Sequence, residues 1–173
     1  MTDANQHELA QRMAELARTV AGPRSVDEVL TEVSAEAKDL IAGVDAAGVL
    51  LIGKGGRFRS VGVTSELPQR LDELQMRYSE GPCVEAAVDE LIVRSDDLRT
   101  ERRWPMYSAA AAALGVRSAL SFKLYTSSQT AGALNLFALE PGAFDAEAET
   151  IGAVLAAHAA AAIIASRQNE QLE

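Results

Sequence analysis

The chain has 173 residues, of which 48% are hydrophobic and 24% charged, so it is long enough to bury a core and too apolar to be disordered. Its formal net charge of -9 excludes the phosphate backbone of a nucleic acid as the main partner, because such binding needs an excess of lysine and arginine. The one cysteine can form no internal disulfide and no cysteine-rich metal site, which fits a reducing compartment.

Two helices are predicted at the start of the chain. Leu9, Met13 and Leu16 have the alternating four- and three-residue spacing of a coiled-coil seam, so the first helix should pack against another helix. Ser25 and Glu28 then have the spacing of a capping box, which predicts the start of the second helix.

An antiparallel hairpin follows. From Ala46 to Ile52 both alternating faces are apolar, which is typical of a strand that is covered on both sides, at or near the centre of a sheet. A glycine-rich turn leads into a second strand, Phe58 to Thr64. Charged and apolar residues at helical spacing then predict a helix from Leu67 to Tyr78.

Four more elements are predicted before the last helix. They are a short strand Leu91–Arg94, an alanine-rich helix Tyr107–Leu114, a half-buried strand Arg117–Tyr125 and a last strand Ala131–Leu139. In the last strand Ala133, Asn135 and Phe137 share one face, and Leu134 and Leu136 point the opposite way.

The final helix begins at the N-cap Asp145 and continues to the chain end. Leu155, His158 and Ala162 lie on a seam with strict four- and three-residue spacing, which favours packing against the first helix and against a second subunit. His158 could instead bind a haem or a metal ion, although a lone histidine on such a seam is typical of a packing or interface residue. No cluster of His, Asp and Cys at metal-binding spacing accompanies it.

The apolar segments of the chain indicate its cellular compartment. The N-terminus is polar and has no signal-peptide core, and the apolar run Ile151 to Ala165 is too short and too rich in alanine to span a bilayer. We therefore expect a cytoplasmic protein with no membrane partner. No metal or nucleotide motif identifies a cofactor.

Cys83 follows a Gly-Pro break and lies in the first turn of a predicted short helix that ends at Val88. Unpaired N–H groups in that turn favour a thiolate or an anionic ligand. The alternative is a small buried hydrophobic side chain under a loop.

Five arginines lie in the middle of this acidic chain, namely Arg94, Arg99, Arg102, Arg103 and Arg117. They could receive an anionic ligand through bidentate hydrogen bonds. They could equally pair with Asp96, Asp97 and Glu101 to hold a loop in place.

Several motifs together resemble the GAF domain, in the form found beside ANTAR RNA-binding domains in actinobacterial regulators. They are Glu80-Gly81-Pro82-Cys83, Asp96-Asp97-Leu98 with Arg103-Trp104-Pro105, Gly115-Val116-Arg117-Ser118 and Gly132-Ala133-Leu134-Asn135-Leu136. The resemblance implies an α/β (α+β) fold with a central antiparallel sheet, the N- and C-terminal helices on one face and a ligand pocket on the other. It also implies one GAF domain over residues 1–173, with N-terminal helices at 7–42, the sheet and pocket at 45–139 and a dimerisation helix at 145–173.

Two departures from the family refine this expectation. No ANTAR output domain follows within the chain, so we expect either a fragment or a protein that signals through dimerisation or a separate partner. Cyclic-nucleotide-binding GAF domains carry an Asn-Lys pair and a downstream Asp-Glu. Asn135 and Glu149 match two of these residues, but Leu136 and Ala148 occupy the other two positions. Cyclic nucleotides are therefore not expected.

The resemblance and the residue types together give two sets of candidate site residues. The ligand-binding candidates are Cys83, Asp96, Arg103, Trp104, Ser121, Asn135 and Phe137. The candidates for a homodimer interface are Leu9, Met13, Leu16, Leu155, His158 and Ala162.

The expected function is that of a regulatory sensor that is not an enzyme. It would bind an unknown small molecule and signal through its terminal dimer helices in transcriptional or post-transcriptional regulation. A ligand-free dimerisation module and a Cys83 thiol sensor are the alternatives. A GAF-fold methionine sulfoxide reductase is disfavoured because it uses a second, resolving thiol.

Overall fold

The computed structural model of the protein describes residues 6–14, 25–53, 55, 57–88, 91–124 and 131–172. Within them the helices are α1 (6–14), α2 (Val26–Leu40), α3 (Glu66–Tyr78), α4 (Pro82–Val88), α5 (Pro105–Ala113) and α6 (Ala146–Leu172). The strands are β1 (Ala46–Ile52), β2 (Phe58–Val61), β3 (Ile92–Ser95), β4 (Ser118–Leu124) and β5 (Ala131–Ala138).

The described strands form one antiparallel sheet in the order β2-β1-β5-β4-β3. β5 is central, and its partners are set in register with Gly48 and Ser121 on either side of Asn135. The predicted mixed fold with a central antiparallel sheet is confirmed. β1 has the predicted bounds and lies inside the sheet.

Two hydrophobic clusters cover opposite faces of the sheet. On one face α2 and α6 pack against Leu120, Phe122 and Leu134. On the other face residues of α3, α4 and α5 pack against Ala133 and Phe137. Alternate residues of β5 therefore belong to different clusters, as the sequence pattern predicted.

The predicted helix starts are confirmed at two caps. The backbone N–H of Glu28 donates to Ser25 Oγ at 3.2 Å, and the backbone N–H of Ala148 donates to Asp145 Oδ1 at 2.9 Å. The Glu28 carboxylate also accepts a hydrogen bond from the Ser25 hydroxyl at 3.2 Å.

Two strand predictions were wrong. β2 ends at Val61 and not at Thr64, because Gly62 has a φ of +62° and lies against the backbone of Leu30, where the chain leaves the sheet. β4 is buried on both faces and not half-buried, because α4 packs over the face that carries Ala119 and Ser121.

The last helix is longer than the apolar run seen in the sequence. Residues Ala146–Ser166 are long and apolar enough to cross a membrane by length and composition, so the prediction that the apolar run Ile151 to Ala165 is too short to span a bilayer was wrong. Core helices of globular proteins pass the same test. Here 44% of the apolar window is buried, and the helix packs against α2 and β4.

Gly152 allows α6 to lie directly on the sheet. A Cβ atom at this position would overlap the ring of Phe122, which is 1% exposed. We expect Gly152→Ala to lower the free energy of unfolding by about 1–3 kcal/mol, because overpacking outweighs the gain in helix propensity. Urea unfolding monitored by circular dichroism measures the difference.

A double-mutant cycle with Phe122→Leu provides the control, because the smaller side chain leaves room for the added methyl group. Gly152→Ala should cost less stability in that background. Equal costs in both backgrounds would show that the two residues are not coupled.

Candidate functional site

A group of polar side chains is buried between the sheet and the α3–α5 layer. The group, here called the buried polar cluster, consists of Ser60, Asp72, Gln75, Cys83, Tyr107, Ser121 and Asn135. Ser60 is partly exposed, and the other six residues are buried. Helix α3 contributes Asp72 and Gln75 on the turn-spaced stripe that faces the core. Helices α4 and α5 contribute Cys83 and Tyr107, and neighbouring strands contribute the rest.

Three hydrogen bonds link the cluster: one joins β4 to β5, and two join strands to α3. Ser121 Oγ donates to Asn135 Oδ1 at 2.9 Å, and these residues face each other across β4 and β5. Asn135 Nδ2 donates to Asp72 Oδ1 at 3.3 Å. Ser60 Oγ donates to Asp72 Oδ2 at 2.7 Å. The carboxyl group of Asp72 on α3 therefore accepts hydrogen bonds directly from β5 and β2, and β4 is linked to it through Asn135.

Burial raises the pKa of Asp72 to about 7. The hydrogen bonds from Ser60 and Asn135 favour the charged form, but desolvation outweighs them, and the charge of Glu73 acts in the same direction as desolvation. No Lys or Arg of the described chain pairs with this carboxyl group. Near neutral pH the site can therefore hold Asp72 either as a hydrogen-bond donor or as an acceptor.

Cys83 lies at the centre of this arrangement and is fully buried. Its backbone N–H donates to Gln75 Oε1 at 2.9 Å. Burial raises the pKa of the thiol, and the charge of Asp72 adds to that effect. The backbone N–H groups of Cys83 and Val84 lower the pKa of the thiol, as expected for a helix start, but burial raises it by more.

Three buried polar atoms of the α3–α5 layer have no hydrogen-bond partner among the described residues. They are Gln75 Nε2, Tyr107 OH and Ser108 Oγ, and the first two belong to the buried polar cluster. Burial raises the pKa of the Tyr107 phenol, and the charges of Cys83 and Asp72 act in the same direction. A buried donor without a partner costs roughly 1–3 kcal/mol, so such atoms are rare and point to a missing partner.

Helices α4 and α5 are held over the cluster by carboxylates. Glu80 Oε1 accepts the N–H groups of Met106 and Tyr107 at 2.9 and 3.1 Å, which caps α5. Glu85 Oε1 accepts Trp104 Nε1–H at 2.6 Å. Trp104 is 2% exposed and closes the cluster on this side.

The structure brings five of the seven ligand-binding candidates together and leaves two at the surface. Cys83, Ser121 and Asn135 belong to the buried polar cluster, and Trp104 and Phe137 lie in the apolar cluster around it. Asp96 and Arg103 are exposed, so they do not reach this site. Asp96 pairs with Arg94 at 3.3 Å, and Arg103 stacks on the outer face of Trp104 at 4.3 Å.

The arginines of the central loop are mostly paired, as the alternative reading of the sequence proposed. Arg99 pairs with Asp97 at 2.8 Å, and Arg103 with Glu101 at 2.8 Å. Arg103, helped by Ser95, lowers the pKa of Glu101 to about 2. These pairs stabilise the loop and are not available to a ligand in this arrangement.

Sequence reasoning missed four residues of the cluster. Ser60, Asp72, Gln75 and Tyr107 were not among the candidates. A signal for two of them was present, because Asp72 and Gln75 lie at the i+1 and i+4 positions after Leu71, on the stripe that α3 buries. Two polar residues on a buried helical stripe indicate a polar interior.

The dimer candidates are distributed differently. Leu155 is fully buried and Ala162 is 6% exposed within one chain, so both contact α2 or the sheet and are not accessible to a partner. Leu9 and Met13 are partly buried against the same cluster. His158 is partly exposed, and burial lowers its pKa. Leu16 lies outside the described residues, and the interface stays a prediction.

Replacing Asp72 with Asn tests the electrostatics of the cluster. The folded protein holds the Asp72 proton more tightly than the unfolded chain, whose pKa is 3.8, so the stabilisation is complete below pH 3.8 and is lost as the pH rises through about 7. Between pH 5 and pH 8 we expect the free energy of unfolding of the parent protein to fall by about 2 kcal/mol relative to Asp72→Asn. Urea unfolding at a series of pH values measures this difference.

Asp39→Asn is the matched control, because Asp39 is an exposed carboxylate on α2. Its stability should run parallel to that of the parent protein across the same pH range. A parallel profile for Asp72→Asn as well would show that Asp72 titrates normally.

Comparisons with known proteins were made for the sequence and for the fold. A family model described as the GAF domain matches residues 23–164. No curated protein matches the sequence. No group of three or more His, Cys, Asp or Glu residues suited to a metal ion occurs in the described part of the chain.

Solved structures share the fold at low sequence identity. The GAF domain of a phosphoenolpyruvate-protein phosphotransferase from Coxiella burnetii has a TM-score of 0.72 and 17% identity, over 94% of this chain and 96% of that one. The free methionine-R-sulfoxide reductase of Neisseria meningitidis, solved with its substrate, has a TM-score of 0.68 and 16% identity, over 98% and 95%. The photosensory core of a Stigmatella aurantiaca phytochrome has a TM-score of 0.69 and 11% identity, and this chain spans 39% of it.

The prediction that the chain is not an enzyme was wrong, because a reductase has this fold over almost its full length. Identities of this size show the fold alone, and the fold is used both by enzymes and by sensory proteins. The family model covers most of the chain and both hydrophobic clusters. The chain belongs to the GAF domain family.

Proposed function

We propose that the protein is a sensory module that binds a small polar molecule at the buried polar cluster. The observation that carries this proposal is a pair of buried groups in the cluster, Gln75 Nε2 and Tyr107 OH, that have no hydrogen-bond partner among the described residues. A ligand with hydrogen-bonding groups would satisfy them and recover the free energy that their burial costs.

The composition of the cluster limits the charge of the ligand. It offers donors from Gln75 and Tyr107 and a carboxyl group at Asp72, and no cation pairs with that carboxyl in the described chain. An anion would repel ionised Asp72 in a site of low dielectric constant. We therefore expect a neutral, polar ligand that both accepts and donates hydrogen bonds.

A signal would pass from the buried polar cluster through strand β5 to the terminal helices. Asn135 belongs to the cluster, and its neighbours Leu134 and Leu136 on β5 contact the α2 and α6 layer. A ligand that favours one position of β5 therefore also favours one packing of α6, provided that its binding free energy differs between the two states. The proposed output is a change at α1 and α6 of a cytoplasmic homodimer.

The proposed setting is transcriptional or post-transcriptional regulation. It rests on the motifs that resemble GAF modules of actinobacterial GAF-ANTAR regulators, among them Glu80-Gly81-Pro82-Cys83. In the structure this motif caps α5 through Glu80 and places Cys83 in the cluster. A ligand-free dimerisation module is the competing function, and the ligand test below separates the two.

Tyr107→Phe separates ligand binding from folding. Because the Tyr107 hydroxyl has no partner without ligand, its removal should leave the stability of the free protein unchanged or higher. Ligand-induced stabilisation should fall, since the bound ligand would use the hydroxyl. The measurement is the melting temperature against a library of neutral polar metabolites, where a ligand at 100 times its Kd adds about 2.7 kcal/mol.

Tyr78→Phe is the matched control, because Tyr78 packs against the same apolar cluster but is only partly buried. It should keep the full ligand response. Native mass spectrometry of the purified protein adds an independent reading, since a dimer of bare polypeptide mass with no stabilising compound would support the dimerisation module.

Cys83 should react slowly with a thiol reagent in the native protein. Its side chain is fully buried, and burial raises the pKa of the thiol, so little thiolate reaches solvent. Reaction with iodoacetamide, followed by intact mass at pH 7.5, should be at least about a hundredfold slower than in the unfolded chain.

The unfolded chain in guanidinium serves as the internal control for this reaction. Native alkylation at a comparable rate would contradict the burial of Cys83 and favour a thiol-based redox function over ligand sensing.

A further inference from the structure

An open groove with a volume of about 540 Å³ lies between α3 and the end of α5, on the outer side of the α3–α5 layer. Arg70, Glu73, Leu74 and Arg77 of α3 form one wall, and Ala113 and Leu114 lie on the opposite wall. Arg70 and Arg77 are seven residues apart, so they project from the same side of the helix, about 10 Å apart along its axis. The volume is within the usual range for small-molecule sites.

The two arginines of the groove form no ion pair or hydrogen bond with the described residues. Arg12, Arg59 and Arg94, by contrast, pair with carboxylates. Glu73 lies between the two arginines in sequence and still pairs with neither. Two unpaired guanidinium groups therefore border a groove in a protein whose net charge is -9.

We propose that this groove binds an organic monoanion with an apolar body. The guanidinium groups would hold a carboxylate or a comparable anionic head through charge-assisted hydrogen bonds. The apolar body would cover Leu74, Ala113 and Leu114. Glu73 limits the charge that the groove accepts, because a dianion or a bare polyanion would be repelled by its carboxylate.

This site is separate from the buried polar cluster, although α3 contributes to both. Asp72 and Gln75 point into the interior, whereas Arg70, Glu73 and Arg77 are exposed on the other side of the helix. The buried cluster favours a neutral ligand and the groove an anion. If Tyr107→Phe does not change the ligand response, the proposal for the groove is unaffected. If octanoate does not bind in the groove, the proposal for the buried polar cluster is unaffected.

The occupant would hold two helices together. It would contact α3 on one wall and the end of α5 on the other, and these helices carry Asp72, Gln75 and Tyr107 on their inner sides. An anion in the groove would thereby favour one spacing of the helices that cover the buried cluster.

Octanoate is a suitable probe, because it combines one carboxylate with an apolar chain. Backbone amide shifts in a ¹⁵N-labelled sample would be followed during titration with octanoate, with octanamide and with acetate. We expect saturable shifts that centre on α3 and the end of α5 for octanoate. Octanamide lacks the charge and acetate lacks the apolar body, so each should bind at least about tenfold more weakly.

Variants assign the binding to the groove. The double substitution R70Q/R77Q should weaken octanoate binding at least about tenfold, and E73Q should strengthen it by about twofold because a like charge is removed. R57Q is the matched control, since Arg57 is exposed and does not line the groove. Thermal unfolding checks that each variant is folded, and all the replaced side chains are exposed.

Three outcomes would overturn the proposal. They are equal binding of octanoate and octanamide, unchanged affinity in R70Q/R77Q, and shifts that centre on α4 and β5 and not on α3 and α5. The last of these would place the anion in the buried polar cluster.

Discussion

The burial of the Asp72 carboxyl group, with no cation paired to it among the described residues, is the constraint on which one half of the molecule depends. A charged carboxylate in this position would cost several kcal/mol, so the surrounding groups must supply hydrogen bonds, and Ser60 and Asn135 do so from two strands. These bonds fix α3 on the sheet. Cys83 and Tyr107 then lie in the field of the same carboxyl group, which affects the pKa of both.

Much of the fold could be predicted because local patterns decide it. The bounds of β1, the caps of α2 and α6, and the alternation in β5 all follow from residue type and spacing. The end of β2 could not be predicted, since it depends on the approach of Gly62 to the backbone of Leu30 in another element. For the same reason the burial of both faces of β4 could not be predicted, because its second face is covered by α4, which is distant in sequence.

The sequence predicts only some residues of the candidate site, and the residues that it does not predict determine the electrostatics of the site. Cys83, Ser121 and Asn135 stood out because of motifs and strand alternation. Asp72 and Gln75 lie in a helix that was predicted from the spacing of its charged and apolar residues, without any residue of it as a site candidate. Whether a polar residue on such a helix faces water or the interior depends on how the helix is rotated against the sheet, and this rotation is a property of tertiary packing.

The alternation along β5 has a consequence for how this protein could change over time. Leu134 and Leu136 belong to the cluster that holds the terminal helices, whereas Ala133, Asn135 and Phe137 face the polar site. Substitutions at every second position can therefore change the polar cluster while the packing of the terminal helices persists. A duplicated gene could thus alter the proposed ligand site through a few substitutions on one side of a single strand, without first losing the ability to fold.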